Sequence, residues 1–329
     1  MTDRDTRMHA FVAGTDWAGA QIALLAGDAS NRRYMRVAGP RAVVLMDAPP
    51  EKGEDVRPFV AVTQLLRARG LSAPEIIARD EDGGFLLLED LGDDLYARVA
   101  ATADETTLYA AAVDLLGDLE GRGTEGLAPY DLSTILREAR LLTDWYLTGA
   151  GRACDAARIV AFEAAVARAL LPHLSTRAVV LRDYHAENLI WLPDRDGVGR
   201  VGLLDYQDAL AGHPAYDLVS LLEDARRDTT EEMREAMIRR HLARSGADER
   251  EFRAAYAAWG AQRNIKILGI FARLWLRDGK SSYLDLMPRV WDHLQRDLAH
   301  PDLAELRAWI ERQVPAPEAD LRETLRAAR

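Results

Sequence analysis

Val179-Val180-Leu181-Arg182-Asp183-Tyr184-His185-Ala186-Glu187-Asn188-Leu189-Ile190-Trp191 is the stretch that decides how this chain reads. The apolar run before Asp183 predicts a strand over 178–181, and the run from Leu189 predicts another over 189–192. One tight loop between them therefore carries both Asp183 and Asn188. After the turn-rich segment 193–199, a third short strand over 201–204 ends at Asp205, followed by Tyr206-Gln207-Asp208. Transfer of a phosphoryl group uses these residue types: a carboxylate orients and deprotonates the attacking hydroxyl, and hard oxygen ligands hold Mg²⁺ on the phosphates. In that arrangement Asp183 is the base, and Asn188 and Asp205 are the metal ligands. Each of the three taken alone reads as an ordinary turn residue. The joint pattern continues into Gly212-His213-Pro214-Ala215-Tyr216-Asp217-Leu218 at a helix start, and turn composition does not produce it.

Working outward, the first ninety residues read as strand-rich with one helix. Strands are predicted over 21–25, 34–37, 42–46 and 85–89. A helix is predicted over 58–69, with Phe59, Val62 and Leu66 on one face and Gly70 just past its end. Beyond residue 95 helices dominate: 109–120, 133–147 and 156–170 before the central strands, then 231–245, 248–276 and 282–298 after Pro214. The organisation expected is a small β-rich region, residues 1–90, and a large, mostly helical region, residues 91–329. Two other motifs fail on context. Gly197-Val198-Gly199-Arg200-Val201-Gly202 spells G-x-G-x-x-G but leads into a strand rather than a helix, so a hairpin turn is expected. Gly279-Lys280-Ser281 lacks the upstream glycine of a phosphate loop and reads as one helix ending and another beginning.

Composition narrows the function classes. The 329 residues carry a formal net charge of −11, which opposes nucleic-acid and anionic-membrane binding. A single cysteine, Cys154, rules out an intramolecular disulfide and a cysteine-based metal cluster. No apolar stretch approaches 18 residues, and the N-terminus lacks a signal-peptide core, so a cytoplasmic location is expected. Only three of the 42 basic residues are lysines, namely Lys52, Lys266 and Lys280. The sequence is silent on oligomeric state.

The run Asp183…Asn188…Asp205…Pro214…Asp217-Leu218 resembles the catalytic core of the aminoglycoside phosphotransferase and choline-kinase superfamily. That resemblance implies an α+β, bilobal protein-kinase-like fold with ATP and Mg²⁺ as cofactors. Within the superfamily, Leu45-Met46-Asp47-Ala48-Pro49-Pro50, Leu204-Asp205-Tyr206-Gln207-Asp208-Ala209, the segment 213–222 and Gln262-Arg263-Asn264-Ile265-Lys266 are similar to kinases of the anomeric hydroxyl of N-acetylated amino sugars. A small-molecule amino sugar, either N-acetylmuramate or N-acetylglucosamine, is then the expected partner. The resemblance further implies that Gly27-Asp28-Ala29-Ser30-Asn31 covers the nucleotide phosphates, with a plain hairpin turn as the competing reading. Glu89 and Leu91 would offer backbone groups to the purine, and Asp217 would brace the catalytic loop or simply cap its helix.

Departures from the pattern matter as much. The lysine expected on the third strand is replaced by Met46, and the helix over 58–69 contains no Asp or Glu to pair with one. The phosphate charge must then be met otherwise, by magnesium and backbone amides together with a cation for which Arg32, Arg33 and Lys52 are the candidates, each of which also reads as an ordinary surface charge. Tyr184, His185, Glu187 and Asp208 are candidate partners for sugar hydroxyls. Arg263, Asn264 and Lys266 could face a substrate carboxylate or merely form a solvated helix face. A kinase of the same fold acting on another alcohol (an aminoglycoside, choline, homoserine or a hexose) and a catalytically inactive binding protein are the alternatives.

Overall fold

The computed structural model describes residues 2–27, 31–101 and 104–329. In chain order the elements are α1 (Asp3–Ala13), β1 (Ile22–Gly27), β2 (Arg33–Val37), β3 (Val43–Asp47), α2 (Arg57–Ala68), β4 (Ile76–Asp80), β5 (Phe85–Glu89), α3 (Tyr96–Val99) and α4 (Glu105–Leu119). There follow α5 (Leu132–Leu141), continued as a π-helix over Leu142–Leu147, α6 (Ala156–Leu170), β6 (Ala178–Val180), β7 (Leu189–Trp191), β8 (Val201–Leu203) and β9 (Leu210–Gly212). The chain ends with α7 (Ala215–Leu222), α8 (Glu231–Ser245), α9 (Glu249–Leu276), α10 (Met287–Leu298), α11 (Ala304–Gln313) and α12 (Ala319–Ala327). None of the described helices is long and apolar enough to cross a membrane.

Contacts divide the chain into two compact units, Met1–Ala111 with Glu187–Ala209, and Ala112–Ala186 with Leu210–Arg329. This is not the single cut after residue 90 that composition suggests. The β7–β8 hairpin leaves the helical part of the sequence and joins the first unit.

The first unit is built on a five-stranded antiparallel sheet in the order β1-β2-β3-β5-β4. Alternation at a period of two sends Met35, Val37, Val43, Leu45, Phe85 and Leu87 into one core cluster. Met8, Val12 and Trp17 join that cluster. The first two come from α1, a helix the sequence reading did not anticipate. It starts at a capping box, where Thr2 Oγ1 accepts from the Asp5 N–H at 3.2 Å and Asp5 accepts from the Thr2 N–H at 3.0 Å. Too few apolar residues mark it by periodicity, because only one narrow stripe is buried. On α2, Phe59, Val60, Val62, Thr63 and Leu66 are buried, and the turn after it needs Gly70, whose φ is 77°. The β7–β8 hairpin pairs Leu189 with Leu203 and Trp191 with Val201. A 3₁₀ turn over Gly197–Arg200 links its strands, the hairpin role expected of the glycine motif.

The second unit is organised around α9, 28 residues long, with Asp248 capping its N-terminus through the Glu251 N–H at 2.9 Å. Buried residues surround this helix almost completely, since α5, α7, α10 and the π-helical turn all pack against it. Gly269 explains one close approach: a Cβ there would collide with the Leu141 backbone, at the point where α5 widens into the π-helix. Trp259, fully buried on α9, meets the rings of Tyr130 at 5.0 Å and Tyr216 at 5.6 Å.

Candidate active site

Asp183 belongs to the second unit. It follows β6, which pairs with β9, and the chain turns sharply at Arg182, whose φ of 74° is rare for a residue with a side chain. Asp217, in the first turn of α7, holds that turn in place. Its carboxylate accepts from the Leu181 N–H at 2.6 Å and the Arg182 N–H at 2.9 Å, and Ser220 donates to the Arg182 carbonyl at 3.2 Å. Burial pushes the Asp217 carboxyl up to about 7, while the two backbone donors pull the other way. Asp217 is therefore a buried acceptor bonded to the backbone just ahead of Asp183.

Arg182 turns its guanidinium away from solvent into a cluster of buried polar groups. Glu138 on α5 is the centre: Arg182 and Lys266 both pair with its Oε1, the latter at 3.5 Å. Tyr130 donates to its other oxygen, as does Gln262 at 3.2 Å. Lys266 also contacts the Tyr216 hydroxyl at 3.0 Å. Burial opposes the charge on Glu138, but Lys266, Arg182 and the two hydrogen bonds outweigh it and hold the carboxyl below its usual range. No local motif announces this cluster, because its members come from distant parts of the chain.

That geometry corrects the reading of the α9 residues. Arg263, Asn264 and Lys266 are all buried, so they do not form a solvated face. Their polar heads are engaged within the protein: Asn264 donates to Glu223 at 2.8 Å and to Asp297 at 3.0 Å, and Arg263 donates to the Glu223 carbonyl at 3.3 Å. Tyr184, read as a sugar contact, is likewise a core residue, its hydroxyl donating to the Ala112 carbonyl at 2.9 Å. His185 is buried among Asp224, Arg226, Asp183 and Arg263, and desolvation lowers its pKa. Glu187 and Asp208 are exposed.

Asn188 and Asp205 belong to the first unit, and the hairpin brings them together. The Leu204 N–H donates to the Asn188 carbonyl at 3.0 Å, which sets the strand exit carrying Asp205 against Asn188. Asp205 has a φ of 55°, and Gln207 donates to its carboxylate at 2.8 Å. An amide oxygen and a carboxylate suit Mg²⁺, which takes few protein oxygens and fills the remaining positions with phosphate and water. No group of three or more His, Cys, Asp or Glu residues able to cage a metal alone occurs among the described residues.

Around the sheet, the expected nucleotide contacts are distributed unevenly. Asp28, Ala29 and Ser30 lie outside the described residues. The Asn31 N–H donates to Glu54 at 3.1 Å, and Arg32 pairs with the same carboxylate at 2.8 Å. Arg33 is bound to Asp47, a fully buried carboxylate that Arg4 also grips, each with a shortest distance of 2.5 Å. Lys52 is exposed, and no carboxylate pairs with its ammonium among the described residues. Met46 fills its β3 position as a core residue between Tyr34 and Leu86. The N–H of Glu89 donates to the Glu75 carbonyl at 2.8 Å, and the Glu89 side chain pairs with Arg195 at 2.6 Å. Leu91 is buried, and its side chain packs close to Gly202 of β8.

Comparison with known families resolves what such a site belongs to. The family described as "APH: Phosphotransferase enzyme family" matches residues 21–256. The chain belongs to this phosphotransferase family. It is 40% identical to a Caulobacter vibrioides protein named N-acetylmuramate/N-acetylglucosamine kinase, over 95% of this chain and 98% of that one. A Pseudomonas aeruginosa protein of the same name is 36% identical, with 87% of each chain covered. Among solved structures, a choline/ethanolamine kinase family protein from Mesorhizobium loti superposes with a TM-score of 0.64 at 14% identity, covering 94% of this chain and 99% of that one. The α+β, protein-kinase-like fold expected from the motifs is thus the fold of this phosphotransferase.

Proposed function

We propose that this phosphotransferase uses ATP and Mg²⁺ to phosphorylate the anomeric hydroxyl of N-acetylmuramate and N-acetylglucosamine, returning cell-wall amino sugars to metabolism in the cytoplasm. The observation that carries this reading is the 40% identity, over nearly the full length of both chains, to a kinase named for those two sugars. Asp183 orients the acceptor hydroxyl and takes its proton. An anomeric hydroxyl is more acidic than an ordinary alcohol, which lightens that task. Asn188 and Asp205 hold the magnesium ion, which, when bound, neutralises charge on the phosphates. Of the four candidates for sugar hydroxyls, Tyr184 and His185 are buried, and the exposed Glu187 and Asp208 are assigned that contact. Glu89 and Leu91 offer backbone groups to the purine, with the Glu89 N–H already engaged by Glu75.

Phosphorus NMR of the reaction with ATP tests the assignment. Either amino sugar is expected to yield an acid-labile anomeric phosphate. An acid-stable ester, or turnover only with choline or an aminoglycoside, would overturn it.

The phosphate cation is assigned here to Lys52, since Arg32 and Arg33 are paired with Glu54 and Asp47. Lys52→Met is expected to raise KM for ATP roughly three- to tenfold, the value of about 1 kcal/mol of ionic contact, with sugar KM unchanged. Steady-state kinetics with each substrate varied in turn checks this, and an unchanged ATP KM returns the role to magnesium and backbone amides.

A further inference from the structure

Tyr206 immediately follows Asp205, and its side chain runs to α2 inside the first unit. Its ring stacks on Phe59 with centroids 4.9 Å apart and planes at 22°. Its hydroxyl lies 2.7 Å from Thr63 Oγ1. The single hydroxyl proton of Thr63 goes to the Phe59 carbonyl at 2.7 Å, so Tyr206 is the donor to Thr63. Both side chains are about 1% exposed.

The neighbouring backbone makes this contact consequential. Asp205 holds a φ of 55°, a conformation costing a side-chain-bearing residue on the order of 1 kcal/mol. It persists because the residues on either side are fixed: Leu204 by its N–H on Asn188, and Tyr206 by Thr63 and Phe59. Meanwhile α2 contains no Asp or Glu and β3 no lysine, the β3 carboxylate Asp47 is taken by Arg4 and Arg33, and the arginines at the two ends of α2 pair with Asp82 and Glu89, so none of these ion pairs ties α2 to the Asp205 loop. The polar contact between α2 and the Asp205 loop is this neutral hydroxyl pair.

We propose that Tyr206 and Thr63 are positioning residues for the divalent-cation site: their buried hydroxyl contact locks α2 to the Asp205 loop and holds the Asp205 carboxylate in its strained, metal-ready conformation. The inference rests on Asn188 and Asp205 being the cation ligands and is independent of which alcohol is phosphorylated.

Mn²⁺ binding to the intact protein with saturating ADP, followed by electron paramagnetic resonance of free Mn²⁺, tests it without any sugar. Tyr206→Phe keeps the ring stack and removes only the hydroxyl; Thr63→Val removes the acceptor at constant shape. Each is expected to weaken Mn²⁺ binding about fivefold, the size of one net hydrogen bond. Thr63→Ser, which restores the hydroxyl, is expected to bind within twofold of the parent. Asp205→Asn is the control and should weaken binding further than either. Parent-like Mn²⁺ affinity in Tyr206→Phe or Thr63→Val overturns the proposal even if the melting temperature falls, because a purely structural contact would act on stability alone. A Thr63→Ser protein as weak as Thr63→Val overturns it too. Should Asp205→Asn bind Mn²⁺ normally, the ligand assignment itself fails, which separates the two conclusions.

Discussion

Asp183→Asn is expected to lower kcat with either amino sugar by about 10²- to 10³-fold, the range for loss of a positioned general base, while the KM for ATP stays within a factor of three. The substitution is nearly isosteric, and Asp183 is half-buried, so stability should change little. What disappears is the ability to take the acceptor proton. The loss should sit toward the lower end for this class, because an anomeric hydroxyl gives up its proton more readily than an ordinary alcohol. The backbone around the residue is held independently of its carboxylate by Asp217 and Ser220, whose bonds go to Leu181 and Arg182. A matched fall in kcat and kcat/KM, with unchanged melting temperature and nucleotide affinity, is the signature to look for. Retention of more than a third of parental kcat would remove Asp183 from the chemistry. A parent protein with no sugar-dependent ATP turnover would favour the inactive-binding alternative, since there would be nothing for the variant to lose.

How legible this site is from sequence depends on where each residue gets its partners. Asp183, Asn188 and Asp205 announce themselves because local strand–loop–strand patterning places them, and the observed strands Ala178–Val180, Leu189–Trp191 and Val201–Leu203 end within a residue of expectation. The helix expected over 58–69 is observed at Arg57–Ala68, where amphipathic spacing and a terminal glycine both act locally. Partners supplied by tertiary packing are not legible. Arg263, Asn264 and Lys266 look like a polar surface because α9 is buried on nearly all sides, so its core shows no apolar stripe to contrast with them. Tyr184 and Tyr206 are both tyrosines next to candidate site aspartates. Only the structure reveals that one enters the core toward Ala112 and the other reaches Thr63. Met46 is the instructive departure. Local pattern shows that the lysine is missing, but only packing explains why methionine stands there: its neighbours across the sheet are Tyr34 and Leu86, and the next residue, Asp47, already takes two arginines.

The cluster behind Arg182 yields the largest stability effect. Glu138 is a single carboxylate serving two buried cations, Arg182 and Lys266, while Tyr130 and Gln262 donate to its second oxygen. Glu138→Ala is therefore expected to cost about 3–5 kcal/mol, because it strands two desolvated positive charges rather than merely deleting a hydrogen bond. For a chain of this size that corresponds to a fall in melting temperature of roughly 5 °C. Glu138→Gln, which keeps the shape and an acceptor oxygen but not the charge, should lose roughly half as much. The double variant Glu138→Ala/Lys266→Met should be less destabilised than the sum of its parts, since removing Lys266 relieves one of the stranded charges. Activity should fall alongside stability: the Arg182 backbone holds its φ of 74° directly before Asp183, and Glu138 accepts the hydrogen bond from its guanidinium. Urea unfolding and kcat measured on the same preparations check both halves. A Glu138→Ala protein losing less than about 1 kcal/mol would mean that water or another anion satisfies Arg182 and Lys266. Additive losses in the double variant would mean that Lys266 is held by the Tyr216 hydroxyl rather than by Glu138.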